Sequence, residues 1–360
     1  MFVLDSHCDT PSQIFRLRDL ALDNDHAHVD FPKLARGRVD GAFFALYVPA
    51  SMDSDPEAAW NHAESLYKGV IRTLAANPDK AALALDPVQA YENQKNDRFS
   101  VFIGLENGSP VGRSLGKLAE LYDMGVRYMT LCHSGNNEIC DSCAPSVKRW
   151  GGLSPFGKEV VKEMNRLGML IDVSHASDDT FYDILKYSTK PVVATHSCCR
   201  ALCSHPRNMT DGMIRALAAA GGVIQINFYP LFLDDDFAVI LSSSGMQGRG
   251  ESIESEFIAD PADNQKRAAW NAVQDELQAL CRPSFKLIAD HIDHVAAIAG
   301  VDHVGLGSDF DGIEVTPDGM EDVSYFYKII NELRSRGYSE EDLDKIAGGN
   351  FFRVMQQNQA

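Results

Sequence analysis

Eight short runs of β-branched and aromatic residues alternate with longer segments of helical period, and that alternation leaves few folds open. The runs predict strands at residues 1–4, 42–48, 101–105, 127–131, 169–173, 191–195, 223–227 and 303–306. Between them the spacing predicts helices, among them 56–76, 156–167 (Ser154 as N-cap, Pro155 in the first turn) and 178–186. Parallel strands joined by helices form either a closed barrel or a doubly wound open sheet. No Gly-rich phosphate turn follows the first run, which favours the α/β class in its (β/α)8 TIM-type form, with working residues at the C-terminal strand ends. One segment breaks the regular spacing. Residues 228–282, between the seventh and eighth strands, carry the acidic Asp234-Asp235-Asp236 and a Ser/Gly-rich stretch at 242–250. We expect an inserted loop-and-helix cap over the barrel mouth, within a single domain spanning 1–360.

A formal charge of −18 and a pI near 4.9 argue against a nucleic-acid partner, because phosphate binding needs Lys/Arg clusters and none stands out. Met1-Phe2-Val3-Leu4 lacks the basic flank and apolar length of a secretory leader, and no run approaches a membrane span. The expectation is a cytoplasmic protein with no membrane partner. Eight cysteines scattered through so long a chain fit reduced thiols. Cys140-Asp141-Ser142-Cys143 has zinc or redox spacing, but the second pair that a zinc ribbon needs is missing.

The strand ends carry the chemistry. The first run opens into His7-Cys8-Asp9, where i and i+2 face the same side of an extended chain and can reach one ion. His28-Val29-Asp30 and His291-Ile292-Asp293 share that spacing but not its position, since one lies in a polar loop and the other in a helical pattern. The third strand ends at Glu106, a carboxylate able to bridge two metals, the fourth runs into His133, and the fifth into Asp172-Val173-Ser174-His175. The sixth gives Thr195-His196-Ser197, and the eighth leads to Gly307-Ser308-Asp309-Phe310-Asp311-Gly312. Any one histidine is more simply a hydrogen-bonded core residue. Six of eight strand ends carrying His, Asp or Glu are not so easily dismissed, and imidazole with carboxylate suits zinc or a similar divalent ion. Phe43-Phe44 with Tyr47 reads as a barrel strand packing on both faces, and Ser339-Glu340-Glu341-Asp342 as a helix N-terminus.

From Asp5 to Gly312 these residues resemble the membrane (renal) dipeptidase family, peptidase family M19 of the metal-dependent amidohydrolase superfamily. The likeness is most specific in Ile171-Asp172-Val173-Ser174-His175, in Thr195-His196-Ser197 with Pro206-Arg207-Asn208, and in Asp290-His291-Ile292-Asp293-His294-Val295 leading to Asp309. It implies two zinc ions, other divalent metals being admissible. His7 and Asp9 would bind one ion, with Asp309 beside it, His175 and His196 the other, and Glu106 both. A bridging hydroxide would attack the peptide bond, Asp309 would transfer the proton, His133 would face the scissile carbonyl, and Arg207 would hold the terminal carboxylate. The implied substrate is a small dipeptide, including ones with a D-residue at the C-terminal position, and the resemblance admits a homodimer. Ser6, Cys8, Asn107 and Thr210-Asp211-Gly212 depart from the commoner pattern, and no Trp follows His133-Ser134-Gly135-Asn136-Asn137-Glu138. Two alternatives stay open: a related hydrolase of lactones, cyclic amides or N-acyl amino acids, and a non-catalytic metal-binding barrel.

Overall fold

The computed structural model describes residues 1–359, with backbone only at 247, 248, 251 and 255. Among them the strands are β1 (Leu4–Cys8), β2 (Gly41–Tyr47), β3 (Ala81–Leu83), β4 (Phe99–Glu106), β5 (Val126–Thr130), β6 (Leu170–Asp172), β7 (Val193–Ser197), β8 (Val223–Ile226) and β9 (Val304–Leu306). Eight pair in parallel in the order β1-β2-β4-β5-β6-β7-β8-β9, while β3 adds to β4 from outside the path. A parallel bridge from Cys8 to Phe310 brings the two ends of the sheet together, giving the expected (β/α)8 barrel.

Alternation along each strand explains why the sheet rolls up. On β4, Val101, Ile103 and Leu105 pack outward in the large core shared with the surrounding helices. Phe102 instead joins Leu4, Phe43, Tyr128, Leu170, Val193 and Val223 in a separate interior cluster. That layer fills the barrel, as in other eight-stranded barrels. Phe43 stacks on Phe102 with ring centroids 4.8 Å apart and lies 5.0 Å from Tyr128. Phe351, Phe352, Val354 and Met355 of the helix Asn350–Gln359 join the same interior cluster at the N-terminal ends of the strands. The working end is the opposite one.

Helices form where local signals placed them. Pro56–Ala76 matches its expected bounds, and Ser154 caps Pro155–Leu167 by accepting from the Gly157 amide, with Gly168 closing it at φ 78°. Ser339 and Asp342 form a reciprocal capping box, as a helix start should. Residues 228–282 hold the helices Pro230–Leu233, Asp235–Ser244, Met246–Ala259 and Asn264–Gln278, with a small core of their own around Phe237, Phe257 and Trp270. No described helix is long and apolar enough to cross a membrane.

Most strand ends move by one or two residues from expectation, and two strands shift as a whole toward the C-terminus, for one reason. β1 is not residues 1–4 but Leu4–Cys8, and β7 is not 191–195 but Val193–Ser197. In both, polar residues that look like loop are buried inside the ladder. Ser6 is the example: its hydroxyl donates to the carbonyls of Thr195 (2.7 Å) and Leu306 (3.1 Å) across the barrel. β3 was not expected at all, being three residues of Ala-Ala-Leu with no distinguishing pattern.

Gly104 lets Tyr128 cross the interior, because a Cβ there would sit 2.2 Å from the tyrosine ring. Gly104→Ala should therefore cost about 1–3 kcal/mol in urea unfolding, the usual range for an overpacked core. Unchanged stability would mean that the ring has room to move.

Candidate active site

Every site residue expected from a strand end lies at the same end of the barrel. Glu106, the last residue of β4, is at the centre and 3% exposed. Its Oε2 lies 3.5 Å from His7 Nε2. Its Oε1 faces the other group, 3.0 Å from His175 Nε2, 3.4 Å from His196 Nε2 and 3.9 Å from His133 Nε2. The two oxygens of one carboxylate thus serve two separate sets of imidazoles. On the first side His7 Nε2 is also 3.5 Å from Asp9 Oδ2 and 3.8 Å from Asp309 Oδ1. His7, Asp9 and His196 are buried, whereas His133, His175 and Asp309 are partly exposed toward the mouth.

Three of these side chains are held from behind by hydrogen bonds. The Tyr128 hydroxyl is 2.8 Å from His7 Nδ1, and the Thr195 hydroxyl is 2.8 Å from His196 Nδ1. Asn227 Nδ2 donates to Asp309 Oδ2 at 2.9 Å. The Tyr47 ring stands edge-on to His133 with centroids 4.9 Å apart. Tyr47 and Asn227 belong to the two strand ends that carry no His, Asp or Glu, so sequence reasoning passed over them. Alternation past Phe43 and Val223 was the signal that could have found them.

Several of these residues hold unusual backbone. His175 (φ 66°), Asp309 (φ 64°), Asp311 (φ 66°) and Asn107 (φ 79°) are left-handed, at a cost of order 1–3 kcal/mol each for non-glycine residues. The surroundings hold them there. The His175 carbonyl accepts from the Cys143 amide (2.9 Å) and the Cys132 thiol (3.7 Å). The Asp311 amide donates to His28 Nδ1 at 2.9 Å. Asn107, which departs from the commoner glycine, adopts the same left-handed backbone, and its Nδ2 donates to the Val48 carbonyl (3.0 Å) and Asp53 Oδ1 (2.8 Å). Gly312 is a close approach of another kind, since a Cβ there would meet Asp9 Oδ2 at 2.1 Å.

Other sequence features fall away from the cluster. His28 braces the Asp311 loop. His291 Nδ1 accepts from the Cys199 amide at 3.0 Å, and Asp290 and Asp293 pair with Arg336 at 2.5 and 2.7 Å. That segment of the motif therefore braces the scaffold. Cys140 and Cys143 are free thiols and join no metal-ligand group among the described residues. Arg207, 8% exposed, donates from Nη2 to the His196 carbonyl (3.2 Å) and lies 5.3 Å over the Phe232 ring. Among the described residues it has no carboxylate partner, and its Nε is buried without an acceptor.

The donor atoms form groups suited to metal ions: His7, Asp9 and Asp309; His7, Glu106 and His196; and Glu106, His133 and His175, each within 4.8 Å. Two observations say that a cation fits. His7 Nε2 and Asp9 Oδ1 are buried without a hydrogen-bond partner, which costs about 1–3 kcal/mol per group if nothing occupies the space between. Like charges packed this closely also repel, by roughly 3–4 kcal/mol per pair at an effective dielectric near 20. Burial pushes the Asp9 carboxyl up to about 8, with Glu106 adding to the shift and His7 opposing it. Burial opposes a charge on His7 as well, but Glu106 and Asp9 hold its pKa well above the ordinary value. For Glu106 the pull of His7, His175 and His196 overcomes burial and holds the pKa well below the carboxylate range. Burial depresses His196, and it depresses His175 further with help from Arg207, leaving the neutral imidazoles that metals require.

With the Asp9 pKa raised to about 8 and that of His7 held well above its ordinary value, both favour the protonated form in the metal-free protein, while a metal needs the carboxylate and the neutral imidazole. Divalent-ion binding should therefore release protons at neutral pH and weaken as pH falls below that value. Calorimetric titration in buffers of differing ionisation enthalpy measures the release. Heats independent of buffer would remove Asp9 from the ligand set.

Comparison with known proteins agrees with the geometry. The family model for membrane dipeptidases (peptidase family M19) matches residues 1–360. The chain is 34% identical over 337 residues to dipeptidase verJ of Clonostachys rogersoniana, covering 91% of this chain and 75% of that protein. The crystal structure of the probable dipeptidase PvdM from Pseudomonas aeruginosa superposes with a TM-score of 0.82 at 27% identity, over 100% of this chain and 96% of that one. A metallopeptidase from Rhodobacter sphaeroides, liganded with a phosphinate mimic of L-Ala-D-Ala, shares the fold at a TM-score of 0.79 and 22% identity, over 99% of each chain. With the site assembled at the mouth of the barrel and the family model spanning every residue, the chain belongs to the membrane dipeptidase family, peptidase family M19, and is a metallo-dipeptidase of the amidohydrolase superfamily.

Proposed function

We propose that this enzyme hydrolyses dipeptides with a free C-terminal carboxylate, using two zinc ions. His7 and Asp9, with Asp309 beside them, would hold one ion, His175 and His196 the other, and Glu106 both. The observation that carries this reading is the division of the Glu106 carboxylate, Oε2 toward His7 and Oε1 toward His175 and His196. Bound there, divalent ions would supply Lewis acidity and lower the pKa of water toward neutrality.

The chain's own residues then have distinct tasks. Asp309 accepts the proton of the attacking water and returns it to the departing amine, which leaves poorly as an anion. Asn227 fixes one oxygen of Asp309 and leaves the other toward the cluster. Burial lowers the pKa of His133, so its imidazole is neutral. With Ser134 Oγ 3.1 Å from Nδ1, the ring can carry its proton on Nε2 and donate to the developing oxyanion. Arg207, with no carboxylate partner among the described residues, offers a planar fork to the substrate's terminus. A buried guanidinium with no carboxylate partner among the described residues favours a peptide with a free carboxylate over a lactone or cyclic amide. We read the chain as one domain in which the inserted helices restrict the mouth, supported by the 2.7 Å pair between Arg16 and Glu254.

Asp309→Asn should lower kcat by about 10²–10⁴-fold with metal content intact. Near-normal turnover would remove Asp309 from proton transfer. Arg207→Ala should raise KM by about 10–100-fold, the loss expected for hydrogen bonds to a charged group. A dipeptide panel covering both stereoisomers at the C-terminal position, each free and amidated, tests the substrate class. Amides cleaved as well as free dipeptides would sink the carboxylate clamp.

A further inference from the structure

Asp172 is the last residue of β6 and fully buried, and among the described residues its hydrogen-bond partners are amides and hydroxyls, not a cation or an expected metal ligand. Its two oxygens are used differently. Oδ1 accepts from two backbone amides, Ser174 at 3.0 Å and Thr195 at 2.9 Å. Oδ2 accepts from two hydroxyls, Thr130 at 2.6 Å and Thr195 at 2.7 Å. The Thr195 hydroxyl is in turn 2.8 Å from His196 Nδ1.

A hydroxyl has one proton and a carboxylate only accepts, so the direction of this chain is fixed. Thr195 donates its proton to Asp172, and only its lone pairs are left facing the imidazole. The contact with Nδ1 is then a hydrogen bond only if Nδ1 carries the ring proton. That tautomer leaves the Nε2 lone pair free, 3.4 Å from Glu106 Oε1 and 2.9 Å from His175 Nε2. We propose that Asp172 is a positioning residue that acts through Thr195 to hold His196 as the Nδ1–H tautomer, keeping Nε2 available to a metal ion. This inference rests on the two-zinc reading above.

The arrangement makes Asp172→Asn unusually informative. The amides of Ser174 and Thr195 can only donate, so the asparagine carbonyl must stay where Oδ1 is. The new amide NH2 therefore takes the place of Oδ2 and donates toward Thr195. The Thr195 hydroxyl becomes an acceptor there and turns its own proton to its nearest remaining acceptor, His196 Nδ1, in preference to Ser174 Oγ at 3.5 Å. A change that preserves shape thus moves the ring proton to Nε2 and closes the metal-facing atom.

The test uses the full-length, metal-free protein with ¹⁵N-labelled histidine at mildly alkaline pH, His196 being assigned by its loss in His196→Asn. Long-range ¹H–¹⁵N spectra should give the Nδ1–H pattern for His196 in the wild type and the Nε2–H pattern in Asp172→Asn. In competition with a chelator, the zinc equivalent held through His196 should bind about 10–100-fold more weakly in the variant, the usual cost of losing an outer partner of a metal ligand. Thr195→Ser should retain the wild-type tautomer and affinity, and Thr195→Val should lose the affinity. This pair decides the matter if Asp172→Asn does not fold. An Nδ1–H tautomer persisting in Asp172→Asn, or zinc affinity unchanged in Thr195→Val, would overturn the proposal. No peptide enters these measurements, so a wild-type protein with the expected tautomer but no dipeptidase activity would refute the function proposed above and leave this inference standing.

Discussion

Between β1 and the segment after β9, the Asp309 amide donates to the His7 carbonyl at 3.0 Å and the Asp9 amide donates to the Phe310 carbonyl at 2.8 Å. Buried beside them, Asp5 accepts from the amide and hydroxyl of Ser308 at 2.8 and 2.5 Å. This seam closes the ring, and it brings His7 and Asp9, from the start of the chain, within ligand distance of Asp309. An open sheet of the same strands would leave the two halves of that group on opposite edges. Closure of the barrel and assembly of the site are therefore one event.

The seam also sets an energetic problem. A barrel end filled with carboxylates, imidazoles and left-handed residues is costly, and the protein meets that cost with specific partners more than with apolar packing. Tyr128 reaches His7 because Gly104 leaves room for its ring, and Asn227 holds Asp309. Among the buried polar atoms left without a partner are three at this mouth, His7 Nε2, Asp9 Oδ1 and Arg207 Nε. The apolar interior and the C-terminal helix close the other end.

Much of this was legible in the chain. The alternation of short apolar runs with helical segments placed the barrel strands, and cap residues such as Ser154 placed helix starts, because both signals are local. Clustering of His, Asp and Glu at strand ends named the residues that now surround Glu106. The failures have two causes. Asp5, Ser6 and His7 looked like the loop after β1 and are part of it, and β3 has no pattern of its own. Single-chain patterning treats a polar residue as solvated, whereas here its partner comes from another strand across the barrel.

By itself, the sequence determined the fold class and which strand ends carry His, Asp and Glu, since periodicity, capping and residue type are properties of short segments, and its motifs carried the resemblance to the family. Only the tertiary structure decided how those side chains are divided between the oxygens of Glu106, which nitrogen each imidazole presents, and that Tyr128, Asp172, Thr195 and Asn227 stand behind them. Those properties depend on distances between residues far apart in the chain, and such distances are fixed only when the last strand meets the first.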